Sequence, residues 1–167
     1  MKPGGEVTPD TLAGNDIKTL VLTESCVHLQ KDRAAASMDL LYADMEKLGK
    51  IFGKEAEANA LVEGWKAQLV DVEKKVGDRS GTRVFLYDSG SDKPFTAGKY
   101  AITTAMITAA GGKNIMEDME TSWGNTDWET VAARNPEFLV LLDYQDGSGY
   151  AKLLDFLKAH PAMKETN

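Results

Sequence analysis

The chain has 167 residues, 43% of them hydrophobic and 27% charged, and a net charge of −7. That length suits one ordinary domain, or one lobe and part of another, and the composition is that of a soluble globular protein. The acidic balance argues against a nucleic-acid partner, which wants a basic face. No apolar run approaches the roughly 20 residues that span a bilayer, and the lone Cys26 leaves no intramolecular disulfide or cysteine-rich metal site.

The opening MKPGGEV has no apolar h-region, so no signal peptide is expected in this chain. Thr8-Pro9-Asp10 predicts an N-cap with proline at the first helical position, opening a short helix to about Ala13. Ile17–Leu22 is rich in β-branched and apolar residues and predicts a strand. Thr23–Ala36 has no clear period and reads as an irregular connection, within which Glu24, Ser25 and His28 are candidates to face a ligand.

Ser37 is placed to cap a helix from Met38 to about Phe52. Its apolar residues Leu40, Leu41, Met45, Leu48, Ile51 and Phe52 recur at three- and four-residue spacing, which predicts one buried face. Gly53 interrupts it. A longer helix follows from Lys54 to about Val76, with Ala60, Leu61, Trp65, Leu69, Val72 and Val76 as its apolar stripe. At about 1.5 Å per residue it is roughly 34 Å long, enough to run from one lobe to another. Asp78–Thr82 is the only shift in composition that resembles a boundary.

The chain's most informative stretch is Arg83–Tyr100, RVFLYDSGSDKPFTAGKY. Its apolar start, polar loop and the Ala-rich run Gly98–Gly111 predict strand, exposed loop and closely packed helix. This places Tyr87–Gly98 at the carboxyl end of a strand, where open α/β sheets bind ligands. Asn114-Ile115-Met116 predicts a short strand entry. Asp127 or Thr126 is placed to cap a helix over Trp128–Arg134, closed by Asn135-Pro136. Phe138–Asp143 is a continuous apolar run, the pattern of a central parallel strand covered on both faces. Tyr150–Ala159 completes the series as a helix. The order strand, helix, strand, helix, strand, helix predicts a right-handed parallel α/β layer.

The chemistry offers few motifs. His28 and His160 are far apart, without the spacing of a helical zinc pair, and there is no phosphate loop or G-x-S-x-G elbow. What stands out is a set of aromatics on predicted loops: Tyr87, Phe95, Trp123 and Tyr144. Trp123 sits among Glu117, Asp118, Glu120 and Asn125, where no apolar stripe demands it. Such residues suit stacking on a broad or planar ligand. A doubly wound enzyme using Asp88, Ser89 or Asp92 is the competing reading, and an interaction domain without a small ligand is a third.

Four stretches together resemble the substrate-binding proteins of ABC importers for ferric siderophores, haem and cobalamin. They are LGKIFGKEAEANALVEGW at Leu48–Trp65, FLYDSGSDKPFTAGK at Phe85–Lys99, AAGGKNI at Ala109–Ile115 and SWGNTDWETVAARNPEFLVLLDY at Ser122–Tyr144. The resemblance implies a non-enzymatic protein of two α/β lobes joined by one long helix, with ligand in the cleft between them. Residues 54–77 would be that helix. Residues 78–167 would be a Rossmann-like parallel-sheet C-terminal lobe lacking its last elements, and residues 1–53 the end of an incomplete N-terminal lobe. The cleft would be lined by Tyr87, Asp88, Ser89, Phe95 and Thr96, by Trp123, and by Tyr144. Glu129 would dock on a permease subunit at the membrane. The implied cargo is an iron complex, haem or corrinoid, with no resident cofactor or metal. The implied location is the periplasm or the cell surface as a lipoprotein, and a lobe standing alone is expected to self-associate through its cut surface.

Overall fold

The structure is a computed structural model, and it describes residues 7–23, 34–77, 81–145, 147 and 149–165. Glu24, Ser25, Cys26 and His28 lie outside the described residues. Helix α1 (Pro9–Ala13) is closed by a reciprocal cap between Thr8 and Thr11. Helix α2 (Met38–Phe52) follows Ser37 in extended conformation and ends at Gly53 with φ of 62°, a left-handed conformation that glycine adopts without penalty. Helix α3 (Glu55–Val76) runs antiparallel to α2 across that turn.

The α/β part consists of β1 (Thr82–Tyr87), β2 (Phe95–Ala97), α4 (Ile102–Ala109), β3 (Gly112–Asn114), β4 (Trp123–Asn125), α5 (Trp128–Ala133), β5 (Phe138–Leu141) and α6 (Tyr150–Ala159), with a final 3-10 turn over Pro161–Glu165. Strands β3, β1 and β5 form a parallel sheet with β1 in the middle; Arg83 pairs with Lys113, and Phe85 with Leu139. A second, antiparallel ladder joins β2 to β4. The parallel order is the one expected from the alternation of strand and helix.

Residue parity along β1 sorts the core into two layers. Phe85 and Tyr87 point to one face, where Met116, Trp128, Val131, Leu157 and Met163 bury them. Leu86 points to the other, against Ala97 and Ala101, with Trp123, Val140 and Leu142 alongside. Each fully buried large side chain here contributes about 1.5–3 kcal/mol. Helix α3 is anchored to this lobe at its far end: a Cβ on Gly111 would stand 2.3 Å from Val76 Cγ1.

Several expectations fail in instructive ways. Ile17–Leu22 has no ladder partner among the described residues, and Ile17, Leu20 and Val21 are exposed. A strand exists only by pairing, so β-propensity alone did not suffice. The third strand is Gly112–Asn114, two residues earlier than the apolar run suggests. Asn114 ends it, because its Oδ1 accepts the Met116 amide at 3.0 Å and turns the chain. The helix after the loop begins at Ile102 rather than Gly98, since the amides of Gly98, Lys99 and Tyr100 donate instead to Ser122, Met119 and Thr121. Strand β5 is an edge of the described sheet and not its centre, with Phe138 exposed; the central strand is β1. On α3 the buried positions are Ala58 and Val62 rather than the expected Ala60 and Leu61, and Ile51 and Phe52 at the end of α2 are exposed.

Candidate ligand face

The carboxyl end of the parallel sheet gathers most of the candidate residues. Beyond Tyr87 the chain turns through Gly90, whose φ is 90° and whose Cβ position lies 2.2 Å from the Lys93 carbonyl oxygen, so only glycine fits. The turn returns as β2: Asp88 N–H donates to Phe95 O at 3.0 Å, and Phe95 N–H to Ser89 O at 2.7 Å. This is how a stretch read as an exposed loop becomes the base of a small ladder.

Phe95 and Trp123 lie on neighbouring strands with ring centroids 6.0 Å apart and planes at 19°, a stacked pair. Both are half-buried, each leaving part of its ring open. Tyr144, on the loop after β5, is 76% exposed, and its hydroxyl donates to Asp88 Oδ1. The other oxygen of Asp88 accepts from Ser89 Oγ at 2.8 Å. The bond to Asp88, with some burial, pushes the Tyr144 phenol above the ordinary tyrosine range. Around this group a cleft of about 260 Å³ is lined by Asp88, Ser89, Asp143, Tyr144 and Lys152 among others. Asp143 is committed to the loop, accepting the amides of Gln145, Gly149 and Tyr150.

Two of the expected cleft residues are buried, and one of them, Tyr87, still lines the cleft. Tyr87 is 4% exposed; its ring packs on Trp128 at 5.5 Å and Phe156 at 6.2 Å, and only its edge reaches the cleft. Burial first, then the Asp88 charge, holds its phenol above the usual value. Thr96 is fully buried and its hydroxyl donates to Leu86 O at 2.6 Å, tying β2 to β1. Both faces of β1 are covered, and on β2 Thr96 is as buried as its neighbour Ala97. Tyr87 shares the Phe85 face, and Thr96 points away from the side that Phe95 occupies.

Glu129 is exposed in the first turn of α5, which Asp127 caps by accepting the Thr130 amide at 2.7 Å. That turn stands at the same end of the sheet, since Thr126 N–H donates to Pro94 O at 3.0 Å. Among the described residues of the enzymatic alternative, Asp88 and Ser89 bond to each other and Asp92 is exposed on the turn. His160 stacks on Trp128 at 4.6 Å. Lys93 is exposed on the turn as well, and Lys99 is paired with Glu120 at 2.6 Å.

A separate groove of about 620 Å³ separates Ala35–Met38 from α4, lined largely by alanine and threonine. Its charged residues are all engaged: Lys99 with Glu120, Glu117 with Lys113, Asp118 with Arg134. It shares none of the aromatic residues above.

A parallel sheet with half-exposed aromatics near its strand ends is a place where ligands commonly bind. The chain belongs to the periplasmic binding protein family, whose model matches residues 7–167. It is 28% identical over 112 residues to the uncharacterized ABC transporter substrate-binding lipoprotein YvrC of Bacillus subtilis, covering 65% of this chain and 35% of that protein. It is likewise 28% identical over 138 residues to a cobalamin-binding protein of Halobacterium salinarum, covering 79% of this chain and 37% of that one. The crystal structure of a periplasmic binding protein from Veillonella parvula superposes with a TM-score of 0.82 at 26% identity, over 94% of this chain and 53% of that one. The chain thus spans little more than a third of these curated relatives and about half of the solved structure.

Proposed function

We propose that this chain supplies one wall of the ligand cleft of an ABC importer's solute-binding protein, which works outside the cytoplasmic membrane and catalyses no reaction. Residues 78–167 are the C-terminal lobe, α3 the helix that leads to it, and residues 1–53 the end of the other lobe. The observation that carries the reading is the stacked Phe95–Trp123 pair together with the Tyr144–Asp88–Ser89 group, the two linked by the backbone bonds of Asp88 and Ser89 to Phe95. A flat or broad ligand covers such rings and gains area there, and the carboxylate and hydroxyls orient its polar rim.

A corrinoid is the first ligand to test, because the Halobacterium relative is named for cobalamin and because Asp88 accepts hydrogen bonds of the kind that amide side chains donate. Haem and a ferric siderophore follow. Thr96 supports the site from beneath, and Tyr87, though buried, lines the cleft. Glu129 meets a cation of the permease, an exposed carboxylate being free to pair across an interface.

Tryptophan fluorescence is titrated with cyanocobalamin, haemin, a ferric hydroxamate and a ferric catecholate, on this chain and on the full-length protein. Saturable quenching by one of them, weakened about tenfold or more by Trp123→Ala, is expected from the loss of a stacking platform. No quenching by any of the four in the full-length protein would refute the reading. Glu129→Arg should leave that affinity unchanged and abolish uptake in cells; normal uptake would remove the docking role.

A further inference from the structure

The turn from Ser89 to Pro94 bears no regular secondary structure, yet almost every carbonyl in it is held. Ser89 O accepts the Phe95 amide. Gly90 O accepts Tyr87 Oη at 3.3 Å, Ser91 O accepts Trp128 Nε1 at 2.9 Å, and Lys93 O accepts Asn125 Nδ2 at 3.2 Å. Pro94 O accepts the Thr126 amide at 3.0 Å. Three of these donors come from one short segment, Asn125–Trp128. Trp128 is 2% exposed, and its ring is fixed by Phe85, Tyr87, Phe156 and His160 at 4.6–6.4 Å. An indole so confined presents its N–H in one direction only.

We infer that Asn125–Trp128 is a clamp that holds the Ser89–Pro94 turn in its ligand-ready shape, with Trp128 and Asn125 as positioning residues. The inference rests on the proposed function for its consequence, but the clamp itself is a separate claim. A turn held at its carbonyls is a preformed wall and does not fold over the ligand, so little ordering cost falls on binding. Because Glu129 follows Trp128 directly, the same clamp also ties the ligand turn to the first turn of α5. The two surfaces move as one body.

The test uses Trp128→Phe, which keeps an aromatic ring and deletes the N–H, and Asn125→Ala, an exposed change that leaves the core untouched. Amide exchange is followed by NMR at Phe95 and Thr126, whose N–H groups close the turn, with Ile115 and Leu142 as core references. Both variants should exchange at least about tenfold faster at Phe95 and Thr126 and unchanged at the references, the mark of local opening. Affinity for cyanocobalamin, or for whichever of the four probes binds, should fall about fivefold in each, the size of one hydrogen bond's net contribution. Unchanged exchange at Phe95 and Thr126 in both variants overturns the clamp, whatever the ligand. Faster exchange with unchanged affinity overturns its positioning role. Failure of every probe with the unaltered full-length protein counts against the proposed function alone, since the exchange arm still decides the clamp.

Discussion

Asn114→Ala is the substitution whose cost can be worked most fully from the structure. Asn114 is fully buried. Its Nδ2 donates to Ala97 O at 2.9 Å and Thr104 Oγ1 at 2.7 Å, while Oδ1 accepts the Met116 amide. One side chain therefore joins β2, α4 and the turn after β3. Alanine would orphan the Ala97 carbonyl and the Met116 amide; Thr104 keeps its own bond to Gly98 O at 2.7 Å. Each buried group left without a partner costs about 1–3 kcal/mol, and the emptied volume adds to this. The sum is about 3–5 kcal/mol, a large share of the roughly 5–15 kcal/mol that holds a domain together. Urea unfolding followed by circular dichroism should give an unchanged slope and a midpoint lower by about 2 M, taking a slope of about 2 kcal/mol/M. A loss below about 1 kcal/mol would show that the network is dispensable, and with it the account of how β2 is fixed beneath the ligand face.

Other consequences are simpler to read. Gly98→Ala places a Cβ 2.5 Å from Thr121 O and 2.8 Å from Met119 O, both backbone atoms; overpacking of that kind costs about 1–3 kcal/mol, measurable as a lowered unfolding midpoint. Tyr144 should ionise at higher pH than a free tyrosine, because its hydroxyl donates to Asp88 and it is partly desolvated. Its folded value is raised, so the associated stability is present below the unfolded tyrosine range and is lost as pH rises through the folded one. Asp88→Asn should move the ultraviolet phenolate titration of Tyr144 downward, and an unmoved titration would contradict the bond. Asp118 behaves oppositely. The bidentate Arg134 guanidinium holds its carboxyl below the usual range, against a smaller desolvation effect. That stability is present above the unfolded carboxylate range and is lost as pH falls through the folded value. Asp118→Asn should flatten the acid limb of a stability–pH curve only slightly, since Asp118 is 63% exposed.

The larger elements were legible because their signals repeat along the chain. Helix α5 begins where Asp127 caps it and α2 begins at Met38 as expected, although the Ser37 side chain makes no cap bond, and β1 reads as a short apolar run ending in turn residues. Strands β2 and β4 were not legible. Three residues are too few to show a period, and their pairing joins Phe95 to Asn125 across a long separation. Tyr87 illustrates a second limit: an aromatic at the end of a strand reads alike whether it closes the core or faces a ligand. What decides is the packing of Trp128 and Phe156 over its ring, which the strand's own residues do not reveal. The continuous run Phe138–Leu141 carries the composition of a covered strand while lying at the edge of the described sheet. Composition reports what a strand can bury and leaves open how many neighbours it has. Within the ligand face, Trp123 was legible as an aromatic stranded among acids; the partnership of Tyr144 with Asp88, 56 residues apart, left no local trace.

The contact between α2 and α3 has a consequence for how this sequence can vary. A Cβ on Gly49 would stand 2.6 Å from the Cβ of Ala58, so the two helices touch nearly backbone to backbone at that point. Neither position can gain an atom alone without prying the pair apart, and two positions in such contact are energetically coupled. Drift there is therefore constrained to coordinated exchanges, or to none. Because α3 also abuts Gly111 at its other end, a wedge driven in at residue 49 would tilt the whole rod and displace the lobe it carries. A single added methyl group at residue 49 would thus be read out far away, in the placement of the strand that Gly111 leads into.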